Sequence, residues 1–486
     1  MTGRQCGGGV TFGAVQMSQA MGPGGARHRA PEDLTREAIL ADYRRKTPRS
    51  AALYARARAS LSGGTTGNLR HFSPYPVYFA EGEASTMVDV DGNRYIDCFL
   101  CNGPLLLGHR HPAVVEAIHD ASPIGSLIVN PQLAVEAAEQ LQQTVASAER
   151  IRFLNSGTEA VMSAVRVARA YTRRPNIIKF HGHYHGQDDQ FLVGLGPSAE
   201  PFGAGVAPAS HANTLLLPYG DFPALETMLG SRTDIAAVVL DPAMHSGGLW
   251  GSATPYLQAV RELTLKRGVL LVFDEVITGF RLASGGAQAV HGVTPDLTTF
   301  AKALAAGEKL AAVVGRESVM RCLDPERPEG TPAVFQSGTG NDGTSGLAAA
   351  CAAMRTYRNL HKNGGYDRLA RQSSRLAEGI RAAFRAHAVP CHVNQIGPML
   401  QLFLTDAPAS FARYAAVPTG ALALFYLALI NEGVLLSLPT SNHIYLSFAH
   451  TDADFENIIS AVNTVLTKYN IRCLVHAENS RQGEMR

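Results

Sequence analysis

The stretch Phe153–Ala160 reads Phe-Leu-Asn-Ser-Gly-Thr-Glu-Ala and passes from an apolar strand end through a turn of small polar residues into a helix. Backbone N–H groups at a helix N-terminus are unpaired and carry a partial positive charge, so such a turn can bind a phosphate group. Gly157 would let the anion approach, and the hydroxyls of Ser156 and Thr158 would donate to it. The alternative is an ordinary helix cap, in which the hydroxyl of Ser156 serves only the local backbone.

Short apolar runs recur around this turn and are separated by segments with helical spacing. We expect strands at Ile151–Leu154, Ile177–Phe180, Ala236–Leu240 and Val269–Phe273, and a helix at Glu159–Tyr171. Continuous apolar runs are typical of strands that are buried on both faces, as in parallel sheets. The sequence therefore predicts an α/β fold whose large domain holds a mostly parallel sheet.

Asp274 directly follows the apolar run Val269–Phe273, and α/β folds place their sites at the carboxyl ends of such strands. A buried carboxylate is costly unless a cation compensates it. The protonated pyridine nitrogen of pyridoxal phosphate would be such a cation, and the carboxylate would keep the ring able to accept electrons. A salt bridge to an arginine such as Arg281 is the structural alternative.

Lys302 closes the segment Asp296–Lys302, which we interpret as another short strand that ends in a functional group. Pyridoxal enzymes need a lysine amine that can be neutral near a pH of about 7, and partial desolvation lowers the pKa of an amine in this way. Lys309 is the alternative nucleophile, but it lies in a polar segment that we expect to be an exposed loop.

His181, His183 and His185 alternate in the segment His-Gly-His-Tyr-His-Gly. This spacing could place three imidazoles on one side of a strand as zinc ligands, but no carboxylate or cysteine ligand is close in the sequence. We therefore expect no metal. Tyr184 is the more useful residue of the segment, because its ring could stack on a planar cofactor.

The overall composition favours small-molecule chemistry. Lys+Arg number 43 and Asp+Glu 41, so the net charge of +2 creates no broad field for nucleic acid or an anionic membrane. The longest apolar stretch, Ala421–Ile430, is shorter than the roughly 20 residues that cross a bilayer. Seven scattered cysteines do not suggest a disulfide framework, and the Cys98/Cys101 pair fits an apolar core better than a redox site. We expect a cytoplasmic enzyme.

The texture of the chain suggests four parts. These are a disordered Gly-rich tail at 1–30, an N-terminal segment at 31–110 that packs with the small domain, a large cofactor-binding domain at 111–340, and a small C-terminal α+β domain at 341–486. Long helical segments, a final strand at Ile444–Phe448 and a helix at Asp452–Lys468 predict the last part.

With these residues identified, the chain resembles the class III aminotransferases of fold type I, and among them most the glutamate-1-semialdehyde 2,1-aminomutases. The resemblance extends from about Gly63 to Leu466. The blocks that carry it are DVDGNRYID, GPLLLGHRHP, FLNSGTEAVMSAVRVARAYT, LVFDEVITGFR, GGAQAVHGVTPDLTTFAK and LSFAHT. Several long motifs in the family's order are far more specific than any one of them alone.

The resemblance implies pyridoxal 5'-phosphate as the cofactor and a homodimer whose active sites are shared at the subunit interface. Lys302 would bind the cofactor covalently, and Asp274 would pair with its ring nitrogen. Tyr184 and Val276 would lie on the two faces of the ring. Lys302, Asp274 and Tyr184 are therefore the expected catalytic residues.

The resemblance also assigns residues to the phosphate and to the substrate. Ser156, Gly157 and Thr158 would hold the phosphate, joined by Thr339 of the partner subunit. Arg70 occupies the place of the family arginine that grips a substrate carboxylate, a bidentate task that suits a guanidinium group.

Departures from the aminomutase pattern concern the substrate site. Gly67 stands where aminomutases have a serine, Ser246 where they have an asparagine near the cofactor hydroxyl, and Asn442 where they have a glutamate. The glycine-rich run that usually follows the lysine is replaced by Ala303–Gly307. Ser246 and Asn442 are therefore candidate substrate-binding residues of a rebuilt site.

These observations favour an aminotransferase that moves an amino group between an amino-acid donor and a keto acid or other carbonyl acceptor, in specialised metabolism. Lys302 would release the cofactor to the donor amine and then act as general base and acid. An aminomutase or an epimerase on the same scaffold is an alternative. A non-catalytic binding protein of this fold is the alternative from another class, and the presence of both Asp274 and Lys302 argues against it.

Overall fold

The structure is a computed structural model that describes residues 30–196, 198–251, 253–405, 411–436 and 443–484. These residues form two compact units. The first unit contains Gly103–Leu106 and His111–Arg368, and the second contains residues 30–102, Leu107–Arg110 and residues 369–484. The predicted Gly-rich tail lies, apart from Ala30, outside the described residues.

A sheet of seven strands forms the centre of the first unit. In chain order the strands are β1 (Arg150–Leu154), β2 (Asn176–Phe180), β3 (Thr214–Leu217), β4 (Ile235–Leu240), β5 (Leu270–Asp274), β6 (Leu297–Phe300) and β7 (Ala311–Gly315). Their order across the sheet is β1-β7-β6-β5-β4-β2-β3. Strands β2 to β6 run parallel to their neighbours among themselves, whereas β7 is antiparallel to β1 and β6. The predicted mostly parallel sheet is therefore confirmed.

Apolar side chains cover both faces of this sheet. Alternate residues of β5 belong to separate core clusters, Val272 to one and Leu271 to the other. The cluster around Val272 includes Val161 and Val165 from the buried face of the helix Gly157–Thr172. Because burial of one Val or Leu side chain contributes about 1.5–3 kcal/mol, a one-residue slip of a central strand would be very costly, and the register is fixed.

The other helices of the first unit flank the sheet or lead into it. They are Pro112–Ala121, Gln132–Thr144, Pro208–His211, Phe222–Ser231, Thr254–Arg267, Gly286–His291, Glu317–Met320 and Thr344–Lys362. Proline lies in the first turn of several of them, where its missing N–H costs no hydrogen bond. Gly268 ends the helix Thr254–Arg267 with a φ of 59°, a left-handed conformation that glycine adopts without a steric penalty.

The parallel strands β4, β5 and β6 are neighbours, and their carboxyl ends meet at one edge of the sheet. The register pairs Asp274 of β5 with Thr299 of β6. Asp241 follows β4 directly, and Lys302 follows β6 after one intervening residue. The topology therefore brings Asp241, Asp274 and Lys302 to the same edge.

The second unit contains two small sheets and several helices. One sheet has the order Phe79–Glu83, Thr86–Asp89, Arg94–Asp97 and Val434–Leu435, and the other has the order His392–Ile396, Met399–Phe403 and His443–Tyr445. The helices are Pro31–Lys46, Pro48–Ala57, Gly365–Ala386, which begins in the first unit, Phe411–Ala415, Gly420–Asn431, Asp452–Lys468 and Ile471–Glu484.

The helix Asp452–Lys468 has the predicted bounds, because Thr451 and Asp454 form a capping box at its start. The last strand is His443–Tyr445 and is shorter at its carboxyl end than predicted, since its ladder with the neighbouring strand ends at Tyr445. Within the described ranges, no helix is both long and apolar enough to cross a membrane.

Candidate active site

Lys302 lies just beyond β6 and opens a short 3-10 turn, Lys302–Ala305. The prediction that the strand itself ends in this lysine is wrong, because β6 ends at Phe300 and Lys302 adopts a left-handed conformation with a φ of 47°. A residue with a Cβ pays on the order of 1–2 kcal/mol for this conformation, and such strain is concentrated at functional sites. The turn redirects the lysine side chain away from the line of the strand.

The amine of Lys302 is in an environment that disfavours its charge. Burial lowers the pKa of Lys302 from 10.5 to about 8, and the nearby charge of Arg281 lowers it further, while Asp274 and Asp241 oppose the shift. A substantial share of the amine is therefore neutral near physiological pH, as a nucleophile or a general base requires. Lys309, the alternative nucleophile, is exposed in the turn that follows.

Asp274 is buried at the end of β5 and accepts hydrogen bonds on both carboxylate oxygens. Its Oδ2 lies 2.7 Å from Nδ1 of His185. Its Oδ1 accepts from the hydroxyl of Thr299 at 3.1 Å and from the backbone N–H of Val276 at 3.1 Å. These contacts hold both oxygens and fix the orientation of the carboxylate at the end of β5.

Arg281 was considered as an alternative, structural partner of Asp274. It is fully buried and donates to the backbone carbonyl of Gly103. The positive charge of Arg281 also lowers the pKa of the Lys302 amine. The neighbouring carboxylate, Glu275, has a structural role, because it accepts from the backbone N–H groups of Ala287 at 2.5 Å and Gln288 at 3.1 Å at the start of the helix Gly286–His291.

The phosphate-binding turn predicted from the sequence opens the helix Gly157–Thr172. Ser156 is the N-cap, and its Oγ accepts from the backbone N–H of Glu159 at 3.3 Å. The capping role considered as an alternative is therefore present, but a hydroxyl that accepts one bond can still donate its own hydrogen. A Cβ on Gly157 would lie 3.0 Å from both methyl groups of Val276, so glycine lets the start of the helix pack tightly against this side chain.

Thr158 is held from the other side by Gly186. A Cβ on Gly186 would lie 2.5 Å from Oγ1 of Thr158, and the φ of Gly186 is 95°. The backbone N–H of Gln187 donates to the same hydroxyl at 3.2 Å. The helix start and the loop that follows β2 are therefore packed as one surface around Thr158.

Tyr184 has an exposed ring, in contrast to its neighbours. The residue is 41% exposed, whereas His183 and His185 on either side are each 1% exposed. Burial and the negative charge of Asp274 both raise the pKa of Tyr184. Tyr184 and the half-buried Val276 are therefore available to flank a flat ligand whose ring nitrogen faces Asp274.

Thr339 is exposed in the segment that precedes the helix Thr344–Lys362. This segment is tied to the phosphate-binding turn, since Nδ2 of Asn155 donates to Oδ1 of Asn341 at 2.8 Å. A Cβ on Gly340 would lie 2.6 Å from Asn155. The hydroxyl of Thr339 is therefore presented on the surface beside its own chain's phosphate turn.

Asp241 and Ser246 occupy the segment after β4. Both oxygens of Asp241 accept backbone N–H groups, from Ala243 at 2.9 Å and from His245 at 2.8 Å. Burial raises the pKa of Asp241 to about 7 despite these bonds. Ser246 lies half-buried in the short turn His245–Gly247, at the same edge of the sheet as Asp241.

The remaining candidates belong to the second unit or lie outside the described residues. Arg70 ends the short turn Asn68–Arg70, where its guanidinium is exposed and donates to the hydroxyl of Thr66 at 3.0 Å. Gly67 precedes this turn with an extended backbone. Asn442 falls in the segment 437–442, which the structure does not describe.

Two residues of this site were missed by the sequence reasoning. His185 was considered only as a zinc ligand, and Thr299 was not considered. The alternation in Asp296–Phe300 could have indicated Thr299, but its contact with Asp274 depends on the register of β6 against β5. Among the described residues, no group of three or more His, Cys, Asp or Glu side chains is placed to hold a metal ion.

The arrangement fits pyridoxal phosphate. The amine of Lys302 suits its aldehyde, the carboxylate of Asp274 suits its ring nitrogen, and the N-terminus of the helix Gly157–Thr172 suits its phosphate. The close approach of Gly157 to Val276 places the phosphate-binding backbone directly beside a residue that can cover the ring.

The chain is similar to known proteins over most of its length. The aminotransferase class-III family model matches residues 70–466. Glutamate-1-semialdehyde 2,1-aminomutase 2 of Brevibacillus brevis is 38% identical over 433 residues, which cover 86% of this chain and 98% of that protein. The structure of an omega-transaminase from Sphaerobacter thermophilus is 33% identical and has a TM-score of 0.79, covering 86% of this chain and 97% of that chain. A glutamate-1-semialdehyde aminomutase structure from Pseudomonas aeruginosa in complex with PMP is 25% identical and has a TM-score of 0.80, covering 90% of this chain and 98% of that chain.

Proposed function

This chain belongs to the class III aminotransferases, pyridoxal-phosphate enzymes of fold type I, and from that premise we propose that it transfers an amino group between an amino acid and a keto acid or other carbonyl substrate. The observation that carries the proposal is the placement of a desolvated amine, Lys302, and a hydrogen-bonded carboxylate, Asp274, at the ends of adjacent parallel strands.

Pyridoxal phosphate, when bound, supplies an aldehyde that condenses with amines and a ring that withdraws electrons. Lys302 would hold the aldehyde through its amine and give it up to the donor amine. Its Nζ, whose pKa burial lowers to about 8, would then accept the proton from the α-carbon of the donor and deliver it to the cofactor. The acceptor half of the reaction uses the same proton transfers in reverse.

Asp274 would face the ring nitrogen and favour its protonated form, and His185 and Thr299 orient the carboxylate for this task. The N–H groups of Gly157 and Thr158 and the hydroxyls of Ser156 and Thr158 would hold the phosphate at the start of the helix. We assign the substrate carboxylate to Arg70, whose exposed guanidinium can form a bidentate pair.

We propose that a second copy of the chain covers the apolar surface at Leu127, Ile128 and Val129, where Val129 is 91% exposed. The carbonyl of Ser126, directly before this surface, accepts from the N–H of Thr344 at 3.1 Å. The surface is therefore continuous with the segment that presents Thr339, and Thr339 then completes the phosphate site of the other subunit.

The assembly can be tested by light scattering coupled to gel filtration. Val129→Asp should give a monomer that binds pyridoxal phosphate more weakly, because a charge cannot be buried unpaired in an apolar interface. Val290→Asp is the matched control, since Val290 is 52% exposed on the helix Gly286–His291 of the same unit and should leave the dimer intact. A Val129→Asp protein that remains dimeric would show that this surface is not the interface.

The aminomutase reaction is the second candidate, because a curated aminomutase is 38% identical over nearly its whole length. Ser246 and the loss of the family serine at Gly67 favour a different substrate from glutamate-1-semialdehyde.

The six unpaired cysteines of the described chain also fit a reducing compartment, and we place the enzyme in the cytoplasm.

Candidate amines should be incubated with the holoenzyme in the absence of an acceptor. An aminotransferase converts its yellow cofactor to the colourless amine form and releases one carbonyl product per site. An amine that reappears isomerised without any carbonyl product would identify an aminomutase instead, and reappearance with inverted configuration would identify an epimerase. Borohydride reduction followed by peptide mass mapping should find the cofactor on Lys302, and cofactor fixed elsewhere would refute the assignment.

A further inference from the structure

Behind Asp274, two buried imidazoles lie next to each other. The rings of His183 and His185 are each 1% exposed, and their centroids are 5.8 Å apart. Each ring uses only one nitrogen in a hydrogen bond with the protein. The other nitrogen, Nε2 in both residues, is buried and has no partner among the described residues.

The bonds that are present determine which nitrogen carries the proton. Nδ1 of His183 lies 3.1 Å from the backbone N of Asp241, which can only donate, so Nδ1 is an acceptor and the hydrogen is on Nε2. Nδ1 of His185 lies 2.7 Å from Oδ2 of Asp274, and an ionised carboxylate can only accept. His185 therefore carries its hydrogen on Nδ1 and has a lone pair on Nε2.

Both rings are neutral in this assignment. Burial lowers the pKa of His183 well below its usual range, and the nearby His185 and Lys179 contribute to the shift. Burial also lowers the pKa of His185, although Asp274 opposes it. Lys179 is completely buried on β2, with its amine 2.6 Å from the carbonyl of Val193. Phe180 and Tyr219 pack on the ring of His183, which keeps bulk water away from it.

The two unpartnered nitrogens are complementary, because one is a donor and the other is an acceptor. We propose that His183 and His185 form one directional hydrogen-bonded relay, closed by a water molecule between their Nε2 atoms, which ends on Oδ2 of Asp274 and orients this carboxylate toward the position of the cofactor's ring nitrogen. In this relay the backbone N–H of Asp241 donates to His183, His183 donates to the water, the water donates to His185, and His185 donates to Asp274. The inference rests on the proposed role of Asp274. In it His183 is a positioning residue that touches neither substrate nor cofactor.

The tautomers can be measured by ¹⁵N NMR on protein with labelled histidines, first without cofactor. The expected result is a protonated Nε2 in His183 and a protonated Nδ1 in His185, with neither ring cationic at neutral pH. Signals are assigned by their loss in His183→Phe and His185→Phe. A hydrogen on Nδ1 of His183, or a cationic ring, would overturn the relay whatever the enzyme catalyses.

The effect on the cofactor is measured with ring-¹⁵N pyridoxal phosphate bound to each variant. His183→Phe keeps the ring packing but removes the donor, so the pyridine signal should move toward the unprotonated position and the donor half-reaction should slow by about tenfold, the loss expected for one weakened charge-assisted hydrogen bond. His183→Gln, whose amide can accept from Asp241 and donate onward, should restore most of the pyridine signal.

Two controls separate the relay from packing and from the proposed function. His291→Phe removes a partly buried histidine that bonds Thr254 elsewhere in the same unit, and Phe180→Leu disturbs the packing of His183; both should leave the pyridine signal unchanged. If Asp274→Asn moves the signal but His183→Phe does not, the relay alone is wrong. If Asp274→Asn does not move it, the proposed role of Asp274 fails first, and the relay fails with it.

Discussion

Thr299 offers the sharpest test of the electrostatics around Asp274, because the adjacent residue is a matched control. Thr298 and Thr299 are both completely buried on β6. The hydroxyl of Thr299 is 3.1 Å from Oδ1 of Asp274, whereas that of Thr298 is 2.7 Å from the hydroxyl of Ser147. Substitution of either threonine by valine removes one buried hydroxyl and replaces it with a methyl group of similar size.

The two substitutions should cost similar stability and differ in activity. Loss of a hydrogen bond in the core is worth about 1 kcal/mol, and a bond to a charged group about 1.5–3 kcal/mol. Since Oδ1 of Asp274 keeps the N–H of Val276 at 3.1 Å, we take the lower end of that range for Thr299→Val. Without the hydroxyl of Thr299, the carboxylate of Asp274 would draw the proton of the cofactor's ring nitrogen closer, and the ring would withdraw electrons less strongly. A loss of about 1.4 kcal/mol at this step corresponds to about a tenfold slower proton abstraction.

Single-turnover conversion of the cofactor by an amine donor, followed by absorbance, measures this step, and urea denaturation measures stability. Thr299→Val should slow the conversion by about tenfold, and Thr298→Val should stay within about twofold of the wild type, while both lose about 1–2 kcal/mol of unfolding free energy. Equal rates for the two variants would refute the reasoning, since the loss of a buried hydroxyl would then explain both results.

Three further predictions follow from individual residues. The pKa of Lys302 falls from 10.5 to about 8 on folding, so the cofactor-free protein carries the full penalty below pH 8 and gains stability as the pH rises toward 10.5. Lys302→Met should therefore be more stable than the wild type by about 3 kcal/mol at pH 7 in urea denaturation, and the difference should vanish above pH 10.5. Gly186→Ala would place a Cβ 2.5 Å from Oγ1 of Thr158 at a φ of 95°, so the variant should lose at least about 2 kcal/mol of unfolding free energy and bind pyridoxal phosphate weakly. Gly203→Ala is the control, because Gly203 has a φ of 100° with open space around it, and it should lose only about 1 kcal/mol. Urea denaturation and spectroscopic titration of the cofactor measure the two effects. Arg70→Lys should raise the KM of carboxylate-bearing donors about tenfold and leave simple amines unaffected in steady-state assays, and an equal effect on both donor classes would exclude the carboxylate role.

The sequence predicts the positions of strands and helices well where the local residue pattern and the burial of the side chains favour the same element. The apolar runs located β1, β2, β4 and β5 to within one residue. The inner strands β2, β4 and β5 are buried at every position, which favours apolar side chains, whereas the edge strand β1 is only partly buried. The helix after the phosphate turn begins two residues earlier than predicted, at Gly157, because Ser156 caps it. The hydrophobic period locates the helix body and says less about its first turn.

Contacts that depend on register could not be predicted in this way. Nothing in the local sequence pairs Thr299 or His185 with Asp274, since these residues come from three separate segments and meet only when β2, β5 and β6 take their places in the sheet. The left-handed backbone of Lys302 was missed for a related reason. A lysine has no intrinsic preference for a positive φ, so the conformation is imposed by the surrounding fold.

The cofactor residues and the candidate substrate residues lie in different kinds of structure. Asp274 ends a buried central strand, and its position is fixed by core burial that any change of register would forfeit. Ser246 and Arg70 lie instead in short 3-10 turns, which tolerate substitution without loss of the sheet. A chain can therefore keep the shared chemistry of its family while its turns acquire a new substrate, and a serine in place of asparagine at Ser246 changes hydrogen-bonding capacity without moving any strand. This is why the identity of the reaction partner must be sought by screening donors, whereas the role of Asp274 can be tested at one atom.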